Sequence, residues 1–263
     1  MRRAYGSVLA IAAVVLVSGA ACARRQQEST PAQQDASRGQ LDTSRAQVDT
    51  ARAQQDVSRS VAGGGISVSG WQGKIDAREA QSGASLNDAK LVREGNALHV
   101  TTGPAVTYWN PANTATGNYT VKATFTEPKY MGLNNHPHPY GIVIAGNDLG
   151  TATQSYLYCA AYGNGSFIVR GFGPEPFQMN GRRGEANPAV HTAAGAGQPV
   201  TQEIAVSVKG DKVECAINGT VVASYPKSDL VAPGKLKSTD GVYGIRFAHN
   251  TEGTVTGLTL TKP

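Results

Sequence analysis

The chain has 263 residues, of which 16% are charged, and a net charge of +5. From Gly63 onward 16 Lys and Arg face 14 Asp and Glu, so the body carries only about two net positive charges. That balance is too even and too scattered for a phosphate-tracking surface, which argues against nucleic-acid binding.

The first segment reads as a targeting signal. A basic start, "MRR", precedes the apolar run Val8–Val17, "VLAIAAVVLV", and then the small residues "SGAA" before Cys22. About ten apolar residues fall short of a bilayer-spanning helix, so the chain is expected to be exported, with 1–21 as a signal peptide. The stretch resembles a bacterial lipoprotein signal, in which the Cys becomes lipidated and N-terminal; Gly19 stands where a Leu is commonest. Lipidation of Cys22 would fix the chain to a membrane facing the periplasm or cell surface. Ordinary cleavage after Ala21 or Ala23 would give a soluble secreted protein.

Residues 22–34 read as a flexible tether. In 35–62, Asp35, Asp42, Asp49 and Asp56 recur every seven residues, as do Arg38, Arg45, Arg52 and Arg59. Residues three and four apart are neighbours on a helix, so the alternating steps from Asp35 to Arg38 and Arg38 to Asp42 make one charge ladder. The expectation is a marginal helical spacer, about 40 Å long at 1.5 Å per residue. Its seam of small residues (Ala36, Gly39, Thr43, Ala46) is weak for a coiled coil, though oligomerisation through it stays open. A partly disordered polar linker is the alternative. Gly63, Gly64 and Gly65 would end the helix and act as a swivel.

Beyond Gly65 the period becomes two. Ten runs, from "NALHVTT" through "TVTGLTLTK", alternate apolar and polar residues between Gly, Asn, Asp or Pro. The turns Lys209-Gly210-Asp211 and Asn218-Gly219 read as hairpins. Across the first, Ile204, Val206, Val208, Val213, Cys215 and Ile217 share one phase. No amphipathic helix is apparent in 66–263, and many antiparallel strands without helices imply two stacked sheets, an all-β jelly-roll sandwich. Cys159 and Cys215 each fall on an apolar phase. A simple meander would set their strands about three apart in one sheet, about 14 Å against the roughly 7 Å a disulfide tolerates, which favours two buried free thiols.

The blocks "GW" near Trp71, "EGNALHV", "HPHPYGIVIAGNDL", "SYLYCAAYGNGSFIVR", "VECAINGTVV" and "GVYGIRFAHN" resemble, in that order, the concanavalin A-like jelly-roll group. Within it they look most like laminin-G-like domains and the bacterial domain associated with 3-keto-glycoside hydrolysis. The resemblance covers roughly Ile66 to Lys262. It implies a curved sandwich of about 200 residues, often found in carbohydrate binding or cleavage.

Sugars stack apolar faces on aromatics and offer hydroxyls to Asn, Asp, Gln, Arg and His. In "SYLYCAAY", Tyr156, Tyr158 and Tyr162 lie on the phase opposite Leu157 and Cys159, away from the core. With Arg170 on the next strand and Arg246 in "YGIRFAH" they form the candidate ligand-binding face; cross-strand aromatic packing is the alternative. His136 and His138, stiffened by Pro137 and Pro139, are read as polar rim contacts; no third ligand completes a metal site, and no cofactor is implied. The long segment 173–199 places Phe177, Arg182 and Arg183 where they would close over a ligand, unless it is a floppy insertion. Glycoside hydrolysis needs two carboxylates, and no alternating Glu-x-Asp-x-Glu run exists, so catalysis is the minority reading, with Asp148 and Glu175 as weak candidates. The ordered readings are a membrane-anchored saccharide or envelope-glycan binder, a glycoside hydrolase, and a structural module that binds protein.

Overall fold

In the computed structural model, residues 59–131 and 138–263 are described. The signal segment, Cys22, the tether, the spacer as far as residue 58, and His136 lie outside the described residues.

Sixteen strands, numbered in chain order, are found among the described residues. The first sheet runs β1 (Gly65–Ile66), β3 (Ala89–Glu94), β4 (Ala97–Thr102), β16 (Glu252–Thr261), β6 (Tyr119–Glu127), β12 (Val200–Lys209), β13 (Lys212–Ile217) and β14 (Thr220–Pro226). The second runs β10 (Pro176–Gln178), β9 (Ser166–Phe172), β8 (Ser155–Ala161), β7 (Tyr140–Asn147), β15 (Gly241–Phe247), β5 (Val106–Ala115) and β2 (Gln72–Ile75), with β11 (Glu185–Ala186) also on β9. Every pairing is antiparallel except β1 with β3. Among the described residues helix is confined to Ala77–Gln81, Lys227–Leu230 and one 3-10 turn, Leu86–Asp88. The all-β two-sheet sandwich expected from the period-two pattern is the observed fold.

Alternation builds the core. On β6, Tyr119, Val121, Ala123 and Phe125 point inward and are almost fully buried. The hairpin register Ile204 to Ile217, Val206 to Cys215 and Val208 to Val213 matches the phase read from sequence. Facing them from the second sheet are Tyr108, Ile142, Ile144, Leu157, Val169, Ile245 and Phe247. Burial of such side chains contributes about 1.5–3 kcal/mol each.

Three expectations need correction. Cys159 and Cys215 are disulfide-bonded, with Cα atoms 6.1 Å apart. Their strands, β8 and β13, belong to opposing sheets rather than to one meander, so the cross-sheet gap separates them and not three strand spacings. The triple glycine is not a free swivel: Gly65 pairs with Lys90, and a side chain at Gly64 would collide with the Asn87 carbonyl oxygen. At the end of the spacer, residues 59–62 are not helical. The Arg59 backbone N–H donates to Asn250 Oδ1 (2.9 Å), its Nε donates to the Thr102 carbonyl (3.3 Å), and the Ser60 hydroxyl donates to Asp88 (2.7 Å). Those partners tie this segment to the sandwich.

The segment 173–199 is likewise neither a ligand-closing loop nor a floppy insertion. β10 and β11 both extend the sheet along β9. Between them Asn180 completes the edge, accepting from Val169 N–H (2.8 Å) and donating to the Phe167 carbonyl (3.3 Å). Phe177 packs against the core, with the Lys235 ammonium 5.6 Å from its ring centroid.

Candidate functional site: an aromatic and guanidinium face on the second sheet

The side of the second sheet turned away from the core carries its own ordered rows. Cross-strand partners define one row as Lys74, Thr107, Arg246, Gly141, Ala160 and Ile168. The next runs Gln72, Trp109, Gly244, Val143, Tyr158, Arg170 and Gln178. A third pairs Tyr156 with Phe172 and Phe172 with Pro176. The phase read from "SYLYCAAY" is thus correct: Tyr156, Tyr158 and Tyr162 join Val143, Ala160 and Ile168 in a cluster separate from the main core.

Their exposure differs from expectation. Tyr156, Tyr158 and Tyr162 are only 2%, 5% and 7% exposed, so their rings are sealed and cannot themselves stack on a sugar. Leu149 and Phe172 pack against the cluster. Gly184, at φ 83°, lets the 181–184 turn lie against the Tyr162 ring, where any Cβ would approach Cε2 to 2.9 Å. Burial pushes the Tyr162 phenol up to about 12 and the Tyr156 phenol higher still. Both stay neutral, and Tyr156 OH accepts from Thr107 Oγ1 at 3.0 Å.

Arg246 sits at the centre, 7% exposed. Its guanidinium lies 5.0 Å from the Tyr158 ring centroid and 5.2 Å from that of Phe172. Nη1 donates to Thr107 Oγ1 (2.9 Å) and Tyr156 OH (3.3 Å), and Nη2 donates to Asp76 Oδ2 (2.6 Å). Burial alone would lower its pKa; the Asp76 carboxylate and the two phenols outweigh that and hold the charge firmly in place. A desolvated cation over an aromatic face contributes about 2 kcal/mol. Arg246 therefore organises the floor of this face.

The accessible part is narrower. Phe172 and Arg170 are half-buried and adjacent along β9 at i and i−2, and Gln178, across the ladder from Arg170, is exposed. Arg170 Nη2 donates to the Arg182 carbonyl. Together these three side chains offer an aromatic ring, a planar donor and an amide on one surface.

The other candidates fall elsewhere. His138 is 6% exposed and its ring meets that of His249 edge-on at 4.2 Å, while His249 Nδ1 is 3.8 Å from Glu79 Oε1, so His138 is packed and not a rim contact. Among the described residues no group of three or more His, Cys, Asp or Glu is placed to hold a metal ion. Asp148 is exposed in the β7–β8 turn and ion-paired to Lys237; Glu175 is exposed in the β9–β10 turn. One further acid is buried. Glu127 closes the inward phase of β6 at 3% exposure, and burial pushes it up to about 7 against the opposing hydrogen bond from Met131 N–H. A carboxyl on an apolar phase was the sequence signal for it.

No family model matches the chain, and no curated protein matches it. Among solved structures, a protein of unknown function with a galectin-like fold from Bacillus subtilis superposes with a TM-score of 0.51 at 12% identity, covering 72% of this chain and 88% of that one. The carbohydrate-binding module CBM66 from Bacillus subtilis gives 0.43 at 7% identity, covering 75% and 99%. The endo-β-1,3-glucanase of Pyrococcus furiosus gives 0.47 at 13% identity, covering 74% and 88%. At such identities the likeness is one of fold alone: the chain shares the two-sheet β-sandwich of the galectin-like protein.

Proposed function

We propose that this chain is a saccharide-binding β-sandwich, exported and held on a bacterial membrane by lipid at Cys22, with the heptad segment as its spacer. The observation that carries the binding reading is the coreless face of the second sheet. There Tyr156, Tyr158 and Phe172 surround a buried Arg246 clamped by Asp76, beside half-buried Arg170 and exposed Gln178. A sheet face meant only for solvent has no use for such a polar and aromatic network. Glycoside cleavage is less favoured, because it needs paired carboxylates and Asp148 is already paired with Lys237. A cross-sheet disulfide fits an oxidising compartment and so supports export.

The binding reading predicts that purified protein retains at least one class in a panel of neutral and acidic glycans. Gln178→Ala should weaken that binding by roughly five- to tenfold without lowering the unfolding midpoint by more than a few degrees. Phe172→Leu, which also loses the ring over Arg246, should weaken binding and lower the midpoint by several degrees. Tyr156→Ala is unsuitable as a probe, since emptying a buried ring site costs about 3–5 kcal/mol of stability. Retention of no glycan, or variants that bind as well as the parent, would remove the reading. For the anchor, mass spectrometry of the mature N-terminus should find an acylated Cys22 as first residue. An unacylated Cys22 or a start at Arg24 would show a secreted protein instead.

A further inference from the structure

The two arginines of this face differ in one respect that points to ligand chemistry. Arg246 is neutralised by Asp76. Arg170 has no carboxylate partner among the described residues, and its Nε–H is buried with no acceptor. A buried donor without an acceptor costs on the order of 1–3 kcal/mol, more when it belongs to a charged group. Such orphans are rare enough to require a reason.

The surroundings sharpen the reason. Arg170 lies across the ladder from Tyr158 on one side and from exposed Gln178 on the other, with Ile168 and Phe172 flanking it along β9. Arg182 and Arg183 stand exposed in the turn whose carbonyl already orients Arg170. Glu185, exposed at the start of β11, accepts the Gly181 N–H at 3.1 Å and is not ion-paired to Arg170. The site therefore presents a half-buried guanidinium without a carboxylate partner among the described residues, extra positive charge at the rim, a half-open aromatic ring and an amide. A carboxylate matches a guanidinium edge with two parallel acceptors, which a sugar hydroxyl cannot do.

We infer that Arg170 is the specificity-determining residue of this face, and that it selects saccharides bearing a carboxylate, the uronates, over their neutral counterparts. This rests on the saccharide-binding reading above. The carboxylate accepts from the Nη groups of Arg170, the ring lies toward Phe172, and Gln178 meets a hydroxyl. Arg182 and Arg183 supply a screened attraction that weakens with salt.

The test uses the full-length protein and oligomers of galacturonate, glucuronate and guluronate, each beside its neutral methyl ester. A charge-assisted hydrogen bond predicts that at least one acid form binds roughly tenfold or more tightly than its ester. In Arg170→Gln that ratio should fall to near one. Should the variant fold poorly, the unaltered protein gives the same answer by NMR: the Arg170 guanidinium N–H resonances move with the acid and not with the ester. Equal affinity for acid and ester, an unchanged ratio in Arg170→Gln, or a silent Arg170 guanidinium overturns the assignment. Binding to neutral glycans alone overturns it and leaves the saccharide reading standing. Binding to no glycan overturns both.

Discussion

Replacing Cys159 and Cys215 together with Ala should lower the stability of the sandwich by about 4 kcal/mol, the chain-entropy value for a bridge enclosing 56 residues. The bond ties β8 of one sheet to β13 of the other, so it restrains the two layers against separation. For a domain of this size each kcal/mol moves the midpoint by roughly 2–4 °C. A loss on the order of 10 °C is therefore expected. Adding reductant to the unaltered protein should reproduce most of that loss and should do nothing further to the double variant. Two titratable thiols in the oxidised, denatured protein, or a midpoint indifferent to reductant, would count against the bridge.

The disulfide also shows where reading from sequence stops. Alternation gives the phase of "YLYCAAY" and "VECAIN", and both cysteines do face inward. Phase says nothing about which sheet a strand joins, because that depends on crossovers between segments far apart in the chain. The same limit governs the tyrosines. Their side of β8 was legible, but the contacts of Leu149, Phe172 and the 181–184 turn that seal them come from other segments. The ten strands read from the period-two pattern are all present. β1, β2, β3, β5, β10 and β11 were not among those runs, and β5 contains a proline. In the fold Pro111 is exposed where the β15 register shifts between Val242 and Gly244, beyond the last residue paired with β2. A proline is tolerated there since no ladder bond is asked of it. Arg170 and Arg246 could be placed on one face from spacing alone, but the Asp76 partner that makes them chemically different lies 170 residues from Arg246.

Stability should fall as pH rises from about 4.5 to about 7, and Glu127 should account for that fall. In the unfolded chain its carboxyl titrates near 4.5; in the fold burial pushes it up to about 7. Between those values the folded protein holds a proton that the unfolded chain has released, so raising the pH favours unfolding. At 1.36 kcal/mol per unit the loss is about 3 kcal/mol, complete above pH 7 and absent below pH 4.5. The structural cause is specific. Glu127 Oε1 accepts from Met131 N–H at 3.2 Å, while Oε2 has no hydrogen-bond partner among the described residues. The charge also raises the nearby Tyr130 and Tyr140 phenols, adding to the effect of their burial. Glu127→Gln keeps the Met131 acceptor and removes the titration. Denaturant unfolding at pH 4.5 and pH 8 should therefore give similar stabilities for both proteins at the lower pH. At the higher one the variant should be the more stable by about 3 kcal/mol. If both lose stability in parallel, the buried acid is not the source, and the inward phase of β6 would have to end at Phe125.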